Sequence, residues 1–156
     1  MITNDEYLYF CYRALDGMSA IVETLGDDLA NKVADLPGAN SAYALLTHCI
    51  GVADFWAGYL VAGVSKDRDR EAEFRASGPV APLLNEVKAL KLRLATFAEK
   101  SEHGSPLREE PPAAYKGPDE NLTQGGALIH VFEELAQHHG QMEILRDSVL
   151  ASSKSK

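Results

Sequence analysis

Glu134 and His138 lie four residues apart in the segment LIHVFEELAQHHGQMEILR, residues 128–146. On an α-helix that spacing points both side chains in nearly the same direction. His130 extends the spacing to i, i+4, i+8, and His139 adjoins His138; His48 and His103 stand far upstream. Imidazole and carboxylate are ligands that zinc and similar divalent ions take, and two of them four apart on one helix can share an ion. A third protein ligand would leave one position for water or substrate, which is the catalytic pattern rather than the closed structural one. The plainer alternative is a buried histidine hydrogen-bonded to the carboxylate one turn away, with no metal.

Face geometry sorts these residues. Leu128, Val131, Leu135, Met142, Leu145 and Val149 mark the buried stripe of a helix that runs to about Leu150. His138 falls on the stripe and Glu134 at its edge, whereas His130 has turned further toward solvent and His139 to the other side. His138 therefore needs a partner from elsewhere. His48 can supply it, because it lies in the apolar arc of the segment 42–64 with Val52, Phe55 and Tyr59. Facing helices of a bundle commonly build metal sites in this way. On the same segment Asp54 is expected to face solvent, and Trp56, the only tryptophan, to sit in the core.

The remaining elements follow from the same spacing. Thr3 and Glu6 form a capping box that opens a long first helix, with Leu8, Cys11, Leu15, Met18, Val22, Leu25 and Leu29 inward and a bend near Gly26. A Leu36-Pro37-Gly38 turn precedes Asn40 or Ser41 as the next cap. Leu83, Val87, Leu90, Leu94 and Phe97 define another helix whose outer face carries Glu86, Lys88, Lys91 and Arg93. Asn121 or Thr123 can cap the last one. Residues 65–82 (SKDRDREAEFRASGPVAP) read as a solvated connection with a short helical turn; the alternative is a lid with Arg68, Arg70 or Arg75 meeting an anion. Residues 101–122 are a second long connection, in which His103 is expected to be exposed. No stretch alternates as a strand. The expectation is an all-α, antiparallel four-helix bundle over residues 1–150, with a disordered tail at 151–156.

At 156 residues and 46% hydrophobic, the chain can bury one sizeable core. A net charge of −8 argues against nucleic acid or an anionic membrane surface as partner. No apolar run is read as a membrane span of roughly 20 residues, and MITNDEYLYF lacks the basic start of a signal peptide. Cys11 and Cys49, each inside an apolar pattern, read as buried thiols of a cytoplasmic protein.

The segment HVFEELAQHHGQMEILRD, with LLTHCIGVADFW upstream and DRDREAEF between, resembles the DinB-like superfamily. It is most similar to the branch of mycothiol-dependent S-transferases and maleylpyruvate isomerase metal-binding domains. The resemblance spans almost the whole chain and implies a DinB/YfiT-like bundle with a divalent metal held by His48, Glu134 and His138. Glu at 134 matches the mycothiol branch. His139 replaces the arginine of many relatives, and Gln141 stands where that branch often has histidine.

The resemblance implies zinc first, with nickel as the alternative, a low-molecular-weight thiol such as mycothiol as co-substrate, and a homodimer of the kind relatives form. An ion that favours the thiolate of a bound thiol suits S-transfer to an electrophile or a thiol-dependent isomerisation. The alternatives are hydrolysis by a metal-bound water, or a non-enzymatic bundle that binds a ligand or partner and keeps a vestigial site.

Overall fold

Thr3 and Glu6 set the start of the first helix as their spacing predicts. Thr3 Oγ1 accepts from the Glu6 amide at 3.2 Å, and Glu6 Oε2 accepts from the Thr3 amide at 2.8 Å. The computed structural model describes residues 2–64, 67–115 and 121–154. It contains α1 (Asn4–Ala30), α2 (Ala42–Ala53), α3 (Arg70–Phe74), α4 (Val80–Glu99) and α5 (Gln124–Lys154). A π-helical segment, Asp54–Val61, continues α2, and a 3-10 turn lies at Ala113–Tyr115. The all-α reading holds among the described residues, which include no strand. Among the described residues the short α3 makes five α-helices where four were expected.

Local chemistry accounts for the boundaries. Ser41 caps α2 by accepting from Ala44 N, Asp69 caps α3 through Ala72 N, and Thr123 Oγ1 accepts from Gly126 N at the start of α5. Gly26 interrupts α1 with φ 65° and ψ 179°, a conformation nearly confined to glycine. α5 continues through Lys154, beyond the boundary at 150; residues 155–156 of the expected tail lie outside the described residues, as do 65–66 and 116–120 of the two connections.

α1, α2 and the π segment all pack on α5, and α4 closes the other side against α1, α2 and the π segment. The fully buried core includes Leu15, Met18, Leu45, Leu46, Leu60, Leu90, Leu94, Leu135 and Met142. Cys11 and Cys49 are buried free thiols, and Trp56 is core, as expected.

Two expectations change. The run Ala42–Val61 does have the length, 20 residues, and the mean hydropathy, 1.4, of a membrane span. Its apolarity is accounted for inside the bundle, where 89% of that window is buried. Asp54 does not face solvent. It is buried, because α4 covers that side of the helix, and Arg93 meets it with a forked pair at 3.0 and 2.9 Å.

The Gly26 break carries a stability prediction. In a regular helix interior, alanine would gain about 1 kcal/mol over glycine. At φ 65° the backbone instead penalises a Cβ, so Gly26→Ala is expected to cost about 1–3 kcal/mol in urea unfolding. An unchanged or raised midpoint would contradict it.

Candidate metal centre

α2 brings His48 into the apolar interior, and α5 brings Glu134 and His138 to meet it. Glu134 Oε2 stands 3.7 Å from His48 Nε2 and 3.5 Å from His138 Nε2. One ligand atom from each of the three residues lies within 4.8 Å of the others. Two ligands on a common tetrahedral ion, each about 2.1 Å from it, stand about 3.4 Å apart. The two observed separations are close to that value and too long for hydrogen bonds. The donor set, two imidazoles and one carboxylate, is one that zinc and its neighbours accept, so the residues fit a divalent ion.

Both imidazoles have their other nitrogen occupied. His48 Nδ1 lies 2.9 Å from Glu73 Oε2, and His138 Nδ1 lies 2.9 Å from Gln141 Oε1. When a ring is neutral with its hydrogen on Nδ1, an oxygen acceptor awaits that hydrogen, and the Nε2 lone pair then faces Glu134. The rings stand perpendicular, with centroids 5.1 Å apart, and His48 stacks on Phe74 at 4.2 Å. His48 is nearly sealed at 4% side-chain exposure, whereas His138 and Glu134 keep 20% and 27%. The centre therefore opens toward solvent along α5.

Electrostatics follow the contacts. His138 first, and His48 second, hold the Glu134 carboxyl well below the usual carboxylate range. The same contact with Glu134 raises His138, against the opposing effect of burial. Burial disfavours the charged form of Glu73, but hydrogen bonds from His48 and Arg68 outweigh it and keep this carboxyl low too. Burial pushes the Cys11 thiol up to about 12 and raises Cys49 as well, so neither supplies a thiolate near neutral pH.

The other sequence candidates separate clearly. His130 is buried, not turned to solvent. Trp56 covers it edge-on at 4.7 Å, and its Nε2 stands 4.0 Å from the second Glu134 oxygen. The buried arc of α5 is wider than its Leu/Val/Met stripe implied, because the π segment packs on it as well. His139 lies against Gly17 of α1, away from the centre. His103 is half-buried and bonded to Asn4 at 3.0 Å rather than simply exposed.

Within the 65–82 connection, Arg68 is committed to Glu73, Arg75 pairs with Glu71 at 3.2 Å on the surface, and Arg70 lies over Phe74 at 5.0 Å. The Arg70 charge opposes the raised His138 imidazole, as the smallest of the named effects on it. Glu73 is a residue that the spacing argument misses. It sits in a charge run that reads as solvated, and the signal available for it is Gly51, a glycine inside the apolar helix that passes beside it.

The sequence model of a protein family described as Mycothiol-S-transferase matches residues 9–150, a stretch that contains all three clustered residues. A search of the curated proteins finds no match.

The carboxyl and imidazole shifts fix a pH dependence for chelator-treated protein. Glu134 and Glu73, both lowered, contribute stability that is fully present above their ordinary 4.5 and lost as pH falls through the lowered values. His138, raised, contributes stability that is fully present below its ordinary 6.5 and lost as pH rises through the raised value. Urea midpoints are expected to peak between pH 4.5 and 6.5 and to decline on both sides. His138→Ala should flatten the alkaline decline. A midpoint that keeps rising well above pH 6.5 would contradict the assignment.

Proposed function

Because the chain belongs to the mycothiol-S-transferase family, within the DinB-like superfamily, we propose that it joins a low-molecular-weight thiol, through its sulfur, to an electrophile at a divalent-metal centre. The thiol is of the mycothiol class, and the ion is zinc. His48, Glu134 and His138 hold it. The observation that carries this reading is the convergence of two Nε2 atoms on one carboxylate oxygen, at 3.7 and 3.5 Å, with both Nδ1 atoms already bonded elsewhere.

When bound, the ion supplies Lewis acidity that keeps a coordinated thiol deprotonated and therefore nucleophilic. In the net reaction a sulfur–carbon bond forms; either the electrophile's leaving group departs and the thiol proton is released, or its double bond takes up both the electron pair and that proton. The chain's residues provide the setting. Glu134 remains ionised and offers one negative charge to the ion. His138 must be neutral to act as a ligand, so loading releases a proton at any pH where the raised imidazole is charged. Because both cysteines are buried and raised, the reacting thiol comes from outside the chain. Arg70, which lies over Phe74, the ring stacked on His48, is the arginine this reading assigns to an anionic group of the substrate.

Elemental analysis of protein prepared without chelator is expected to find about one divalent ion per chain. Loss of a generic electrophile should require added thiol, and should fall at least about 100-fold in His138→Ala, the upper range for disturbing even a ligand's support. Electrophile loss that proceeds equally well without thiol would replace transfer by hydrolysis. Absence of any bound or bindable ion would sink the reading.

A further inference from the structure

We propose that Glu73 is the positioning residue of this centre: anchored by Arg68, it accepts the His48 Nδ1 proton and so presents His48 to the ion through Nε2. The inference rests on the reading of His48 as a ligand.

A buried carboxylate needs partners, and Glu73 has a complete set. The Arg68 fork donates to both of its oxygens, Nε to Oε1 at 2.9 Å and Nη2 to Oε2 at 3.0 Å. Arg68 is itself only 4% exposed in its side chain. Its guanidinium lies over both the Phe55 and Tyr115 rings, at 5.4 and 5.1 Å, and the Tyr115 hydroxyl donates to its backbone carbonyl at 3.0 Å. This cation keeps Glu73 ionised, and an ionised carboxylate only accepts. The hydrogen between Glu73 Oε2 and His48 Nδ1, 2.9 Å apart, therefore belongs to the imidazole. A neutral imidazole with its hydrogen on Nδ1 has its lone pair on Nε2, facing Glu134 and His138. The opposite tautomer would point an N–H at the ion.

Gly51 is the second, independent observation. It lies three residues after His48, on the same side of α2, and a Cβ built there would fall inside the Glu73 carboxylate. Glycine inside a helix costs about 1 kcal/mol against alanine. Here the missing side chain is the space through which a carboxylate on α3 reaches α2. Glu73, Arg68, Gly51 and Tyr115 thus act as one support for a ligand that three of them do not touch.

The test uses two variants and two readouts. In metal-free wild type at about pH 8, where ordinary histidines are neutral, imidazole 1H–15N correlation is expected to show His48 protonated on Nδ1. In Glu73→Gln and in Gly51→Ala that single tautomer should be lost, because neither variant keeps an anionic acceptor at Nδ1. Zinc affinity, measured by competition with a chromophoric chelator, should fall about 10- to 100-fold in both.

Gly51→Ala retains every charge and favours helix, so it decides the matter even if Glu73→Gln, which strands Arg68, does not fold. Wild-type His48 protonated on Nε2 would overturn the proposal. So would variants that keep the Nδ1 tautomer and bind zinc as tightly as wild type. If the wild type binds no ion, the metal reading fails by itself, and the tautomer measurement still decides the role of Glu73.

Discussion

The Glu134 carboxylate, set into the apolar seam between two helices, is the constraint on which the rest of the structure depends. Taking a carboxylate out of water is costly unless positive or hydrogen-bonding partners surround it. Here the partners are imidazoles on three sides: His138 one turn later on α5, His48 across the interface on α2, and His130 one turn earlier. None is at ordinary hydrogen-bonding distance. The arrangement is held from behind each ring rather than by direct contact with the carboxylate, and the space between is of a size that suits an ion.

That support is distributed over segments far apart in the chain. Gln141 holds His138 from the next turn of α5. Glu73 holds His48 from α3, Arg68 holds Glu73, and Tyr115 in the second long connection holds Arg68. Phe74 stacks on His48, and Trp56 in the π segment closes over His130. Described parts of the two connections that look like solvated loops in the sequence therefore meet beside the His48 helix. Two of their charged residues, Arg68 and Glu73, are turned inward as outer contacts of the centre, whereas Asp67, Asp69, Arg70, Glu71 and Arg75 are exposed.

Two glycines show how local cost is accepted for tertiary gain. Gly26 breaks α1 with a backbone that other residues resist, and Gly51 gives up helix propensity so that a carboxylate can pass. The glycine at 51 costs about 1 kcal/mol in helix propensity, against a net folding stability of order 5–15 kcal/mol. Losses of that size persist where the surrounding packing compels them. The buried Asp54–Arg93 fork is comparable: it joins the apolar α2 to α4 through the single acidic side chain at the start of the π segment.

Helix content, caps and core were legible in the sequence because they depend on spacing within a few residues: Thr3 with Glu6, Ser41, Thr123, and the inward Leu/Val/Met stripes. So was the Glu134–His138 pair, since i and i+4 share a face, and His48 followed as the histidine in the other apolar arc. Periodicity judges a face only by its own helix. It therefore placed Asp54 and His130 toward solvent, where α4 and the π segment in fact cover them. Glu73 had no local signature at all, because its value comes from a buried arginine five residues back and a histidine twenty-five residues away. Sequence by itself determined which residues could carry the chemistry. Only the tertiary structure decided which neighbours orient them, because burial and hydrogen-bond partners are set by what packs on a face, and that information lies in other segments of the chain.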